Sequence, residues 1–176
     1  HGGGRPAERA RVLHNLGAGL CGMDDYPVAV PLLEDAARLQ RSLPERSGAL
    51  GSTLHDFANA VWETGDDSRA LVLYLEALKV KREVFGHDSA TTVSTLSSLG
   101  DIQVVQGRHA EAVRSYRDAV AILTAARGPD HPTIAIVSYN LGNVLEKMGL
   151  LPEALRSYAE AARVDSLHLG EDHPYV

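Results

Sequence analysis

The chain has 176 residues, 44% of them hydrophobic and 23% charged, and a formal net charge of -6. Those proportions belong to a soluble folded protein, and no Lys/Arg cluster supplies the basic footprint of a nucleic-acid binder. No stretch approaches the roughly 18 apolar residues that span a bilayer, no signal-peptide pattern is visible, and the lone Cys21 excludes a disulfide framework. A protein of the reducing cytoplasm is expected, without nucleic acid or membrane as partner.

The opening His1-Gly2-Gly3-Gly4 reads as a tag scar or disordered leader over residues 1–6. From about Ala7 to Gly22 apolar residues fall at helical spacing (Val12, Leu13, Leu16, Leu20). Asp24, Asp25 and Pro27 then punctuate before Val28–Leu43 resumes the period. Two helices joined by so short a turn form a hairpin. After the Leu43-Pro44-Glu45-Arg46-Ser47 link, a second pair is expected over about Ser47–Thr64 and Ser68–Phe85. A third follows over Ser89–Gln106 and His109–Ala126, and a fourth over His131–Met148 and Pro152–His168. The turns carry Gly65, Gly107 and Gly149, residues suited to the positive-φ position that ends a helix. Asp130 and Asp172 are expected N-caps, followed by Pro132 and Pro174 in the first helical turn. No strand alternation competes, so the class is all-α.

The pairs are copies of one unit. Gly86, Gly128 and Gly170 are 42 residues apart, as are Gly65, Gly107 and Gly149, and a fixed period of this size marks a solenoid. A small residue in the first helix of each pair falls at Gly17, Ala58, Gly100 and Gly142. Twelve positions later stand Ala29, Ala70, Ala112 and Ala154. Four further come Leu33, Tyr74, Tyr116 and Tyr158, and three beyond them Ala36, Ala77, Ala119 and Ala161. Small residues at fixed places on facing helices are what close antiparallel packing demands.

This pattern resembles the tetratricopeptide repeat, and the 42-residue period with its Gly-x-Asp-His-Pro link resembles the kinesin-light-chain variety, over residues 7–176. The resemblance implies a right-handed α-solenoid of four antiparallel helix pairs, with repeats at about 7–46, 47–88, 89–130 and 131–172. The Pro that closes the second helix in shorter repeats is replaced by Arg41, Arg82, Thr124 and Ser166, so that helix should run a turn or two further. The first link lacks the Gly-Asp-His-Pro motif and is expected to be irregular. Asp172-His173-Pro174-Tyr175 opens a fifth unit, so a longer parent array is expected, with self-association through an uncapped apolar end.

Three motifs suggest chemistry and are set aside. Gly17-Ala18-Gly19-Leu20-Cys21-Gly22 matches G-x-G-x-x-G, but that fingerprint works between a strand and a helix N-terminus and here lies within a helix. The pairs Asp130/His131 and Asp172/His173 stand one repeat apart, whereas zinc needs three or four converging ligands. Cys21 and His14 are about 10 Å apart by helical rise, too far for a nucleophile and its base. No catalysis, metal or cofactor is expected.

The expected function is a non-catalytic interaction scaffold. The resemblance implies that the first helices line a concave groove for an extended peptide or partner helix. Taken as the face beside the small-residue column, that groove comprises Arg11, His14, His55, Asn59, Trp62, Glu63, Ser97, Asp101, Tyr139, Asn143, Glu146 and Lys147. Asn59 and Asn143 match the column where the family uses Asn to bond a peptide backbone; Ala18 and Asp101 depart from it. Trp62 is the only tryptophan, a residue enriched at interface hot spots. The mixed charge of this face argues against a preference for strongly acidic peptides. The alternatives are the regulatory arm of a larger nucleotide-switching protein and a self-assembly module.

Overall fold

The computed structural model describes residues 4–44 and 47–169. Eight α-helices and one short 3-10 turn occur among them, without a strand: α1 (Gly4–Cys21), α2 (Tyr26–Arg41), α3 (Gly48–Glu63), α4 (Asp67–Phe85), the turn Ala90–Thr92, α5 (Val93–Val105), α6 (His109–Arg127), α7 (Pro132–Lys147) and α8 (Leu151–Leu169). Consecutive helices pair as antiparallel hairpins. The chain divides into two compact units, His1–His87 and Asp88–Val176. In the first, α1–α2 and α3–α4 are joined by packing of α2 on α3; in the second, α5–α6 and α7–α8 are joined by α6 on α7. Thus an all-α fold of four helix pairs stands as expected.

The turn within each hairpin has one geometry. Gly65, Gly107 and Gly149 adopt φ of 89°, 73° and 76°, and the next amide reaches back five residues: Asp66 to Val61, Arg108 to Gln103, Leu150 to Leu145. This is the Schellman closure of a helix C-terminus. The first hairpin makes the same turn with Asp24 at φ 59° and Asp25 bonded to Leu20. An aspartate tolerates the left-handed region better than most side chains.

Helix beginnings depart from the sequence reading: α1 starts at Gly4, ahead of the expected Ala7, α5 starts at Val93 behind the 3-10 turn rather than at Ser89, and one N-cap is displaced. The cap of α7 is His131, whose Nδ1 accepts from the Thr133 amide at 3.3 Å. Asp130 is not the cap: its carboxylate turns to Arg163 Nη1 at 2.7 Å, and its carbonyl oxygen lies 2.6 Å from His168 Nε2. Asp172 and the opening of a fifth unit lie outside the described residues. Helices α4, α6 and α8 run three residues past Arg82, Thr124 and Ser166, as expected without the proline, whereas α2 stops at Arg41 itself.

The repeated small residues form the hairpin seams. Ala29, Ala70, Ala112, Ala36, Ala77 and Ala119 are fully buried, and Ala154 and Ala161 nearly so. A Cβ built on Gly17 would stand 2.6 Å from Leu33 Cγ, and one on Gly142 would stand 2.6 Å from Tyr158 Cε1. A residue with no side chain, or with only the methyl of Ala58 in the second hairpin, lets the large partner on the second helix lie across the first. Tyr74 and Tyr116 are thereby buried almost completely, each contributing about 2 kcal/mol or more through its apolar ring. Exposed ion pairs such as Arg41–Glu76, Arg69–Glu34 and Arg117–Glu153 tie second helices of neighbouring hairpins within each unit; each is worth at most about 1 kcal/mol.

Candidate functional site

In the second hairpin, the face of α3 is organised by a tyrosine from α4. The Tyr74 ring lies edge-on to Trp62 at 6.4 Å and tilted to His55 at 5.8 Å, and its hydroxyl donates to Asn59 Oδ1 at 2.6 Å. His55, Asn59 and Trp62 are half-buried; Glu63 is exposed. Burial, aided by the charge of Lys81, pushes the His55 pKa down to about 4, so this ring is neutral at physiological pH. Arg11 is exposed on α1, while His14 turns toward α3, its Nδ1 3.1 Å from Thr53 Oγ1 and its Nε2 3.8 Å from Asp56 Oδ2.

The fourth hairpin repeats the arrangement. Tyr158 of α8 places its hydroxyl 2.8 Å from Asn143 Oδ1 and 2.7 Å from Glu146 Oε2, sharing one proton between two acceptors. Burial first, then the Glu146 carboxylate, push its pKa up to about 12. Tyr139 packs on the Tyr158 ring at 5.7 Å and is 55% exposed; Lys147, at the end of α7, is exposed.

The third hairpin carries the variant. Asp101 stands where the others have Asn, accepting from the Tyr116 hydroxyl at 2.5 Å and from Asn140 Nδ2 of α7 at 3.4 Å. Burial raises the Asp101 carboxyl despite the tyrosine bond, and the Tyr116 hydroxyl is pushed upward by burial and by that bond. Ser97 sits one turn before Asp101, its hydroxyl buried without a partner. Both residues line a cleft of about 500 Å³ between α5 and α7 that also touches the end of α6.

In the second, third and fourth hairpins expected residues therefore gather as local clusters, each centred on the tyrosine of the second helix, whereas Arg11 and His14 of the first hairpin join no such cluster. Sequence reasoning treated Tyr74, Tyr116 and Tyr158 as core and missed that their hydroxyls reach the opposite face. The signal was available: in the first hairpin Leu33 replaces the tyrosine and Ala18 replaces the acceptor, so donor and acceptor are lost together. Asn140 carried no such signal.

The arrangement offers hydrogen bonding and apolar contact. No group of three or more His, Cys, Asp or Glu among the described residues could hold a metal ion. Burial and the charge of Asp56 raise the Cys21 thiol, the opposite of nucleophile activation. No helix among the described residues is long and apolar enough to cross a membrane.

The sequence model of the tetratricopeptide repeat matches residues 8–83, 69–125 and 91–166. No curated protein matches in sequence. Among solved structures, the kinesin-light-chain protein with nearly identical TPR-like repeats from Podosopora anserina has a TM-score of 0.81 at 20% identity, over 97% of this chain and 81% of that one. BtubC (BKLC) from P. vanneervenii has 0.79 at 21% identity, over 97% and 74%. MamA has 0.73 at 16% identity, over 91% and 80%. At such identities the likeness is one of fold.

Proposed function

The chain belongs to the tetratricopeptide repeat family, and from that premise we propose that it is a non-catalytic interaction scaffold whose first-helix faces bind an extended peptide or a partner helix. The observation that carries this reading is the tyrosine–asparagine pair of the second and fourth hairpins. Each tyrosine hydroxyl engages Asn Oδ1, which fixes the carboxamide and leaves Nδ2 as an oriented donor for a partner's backbone carbonyl. Side chains held before binding lose less entropy on association. Trp62 and Tyr139 supply an apolar face beside each donor, as interface anchors do. The expected face residues are proposed as contact surfaces in this sense within each unit, Arg11 to Glu63 in the first and Ser97 to Lys147 in the second. An unpaired thiol at Cys21 fits a cytoplasmic setting.

The test is a random-peptide selection on the full chain, followed by fluorescence polarisation with the selected peptides. Trp62→Ala and Asn143→Ala should each weaken binding by about 5- to 30-fold, some 1–2 kcal/mol, with far-UV circular dichroism unchanged. Full affinity in both variants sinks the proposal and moves contact to another face.

A further inference from the structure

We propose that the cleft between α5 and α7 is a subsite for one basic side chain, a lysine or arginine of the bound segment, with Asp101 as its counter-charge. This deepens the scaffold reading and rests on it for the peptide that delivers the side chain.

The chemistry follows from what the cleft displays. Asp101 is a half-buried carboxylate whose partners are two neutral donors, the Tyr116 hydroxyl and Asn140 Nδ2. Among the described residues no cation lies within ion-pair distance of it. A carboxylate withdrawn from water without a cation is costly, and the corresponding positions Asn59 and Asn143 avoid that cost by being neutral. The tyrosine proton goes to Asp101, and one Asn140 amide hydrogen points the same way. The cleft offers a ligand acceptor capacity from the free lone pairs of Asp101 and from Asn140 Oδ1. Acceptors grouped around one negative charge match an ammonium or guanidinium, which are donor-only groups.

The walls fit the stem of such a side chain. Ile136 and Val137 of α7 border the cleft, and Ile136 is 64% exposed. Lysine and arginine lay their methylene stems along apolar surface while the head reaches a polar site. A volume of about 500 Å³ admits one such side chain with its backbone. Arg127 of α6 also lines the cleft, so a run of basic residues would be repelled and a single one is the ligand.

The experiment uses the full chain and two probes. In an amide-resolved NMR titration, n-butylguanidinium chloride should shift the Ser97, Asp101 and Asn140 signals, while sodium butyrate should not. Asp101→Asn, the residue that α3 and α7 carry here and one that still accepts from Tyr116, should abolish the response without loss of helicity. In parallel, peptides selected on the wild type should concentrate Lys or Arg at one position, and those selected on Asp101→Asn should not. No guanidinium response, a response that survives Asp101→Asn, or selected peptides without a basic position overturns the subsite while leaving the scaffold standing. Failure to select any peptide on either protein overturns both.

Discussion

Tyr74 and Asn59 lie 15 residues apart on facing helices, and the tyrosine hydroxyl donates to the asparagine Oδ1 at 2.6 Å. The bond joins a side chain of the hairpin core to one on the proposed contact face, so the same pair serves stability and recognition. Tyr74→Phe should cost about 1 kcal/mol, the net value of one such bond, and Asn59→Ala a similar amount. The double variant should cost less than the sum, because each single change already removes the shared bond. Urea unfolding of the four proteins gives the coupling energy; a value of zero would show that the contact holds nothing together.

Gly19 of α1 and Gly142 of α7 should respond in opposite directions to the same substitution. Alanine is favoured over glycine by about 1 kcal/mol in a helix interior. At Gly19 a new Cβ meets nothing within 4 Å, so Gly19→Ala should raise stability by about 0.5–1 kcal/mol. At Gly142 it would stand 2.6 Å from Tyr158 Cε1. The ring must shift, at a cost of about 1–3 kcal/mol, and its bonds to Asn143 and Glu146 loosen. Gly142→Ala should therefore be destabilising on balance. Equal gains at both sites in denaturant melts would refute the seam as the reason for the glycine column.

These glycines show why the sequence was informative where it was. Recurring Gly, Ala and Tyr columns report backbone approach and helix faces, because size and period are visible in residue identity. Which atom bonds to which is not. Gly142 and Tyr158 are legible as a small–large pair, whereas the tyrosine hydroxyl reaching Asn143 depends on a rotamer. Asp24 occupies the turn column filled elsewhere by Gly65, Gly107 and Gly149, and a rule looking for glycine passes over it. Asp130 is a sound N-cap by type, yet Arg163 draws its carboxylate away and the next residue caps α7. The Asn140–Asp101 contact joins two hairpins across no repeated spacing, so the α5–α7 cleft had no sequence signature.

Helix α8 leaves Leu151, Leu155 and Leu167 exposed, at 56%, 67% and 59%. Leu151 and Leu155 are one turn apart and form a continuous apolar strip. Covering it with a second copy would remove that surface from water, so the protein should show a mass that rises with concentration in light scattering. Leu155→Glu should return it to the monomer mass at all concentrations. A wild type that stays monomeric at high concentration would exclude this contact.

His55 makes the stability of the first unit depend on pH. Its folded pKa is about 4, set by burial and then by Lys81, against about 6.5 for an unfolded histidine. Above pH 6.5 the ring is neutral in both states and contributes no pH dependence. As pH falls from 6.5 toward 4 the unfolded chain takes up a proton that the folded protein refuses, so stability is lost through that window. By pH 5 the loss should reach about 2 kcal/mol. Asp56, whose carboxyl is raised by burial, acts in the reverse sense, since protonation relieves it in the fold, so the histidine is isolated by comparison with its own variant. Urea melts at pH 7 and pH 5 should show wild type losing stability on acidification. His55→Gln, which keeps a polar side chain and cannot titrate, should lose markedly less. An equal loss in both proteins would assign the acid sensitivity to other groups and leave His55 without a part in it.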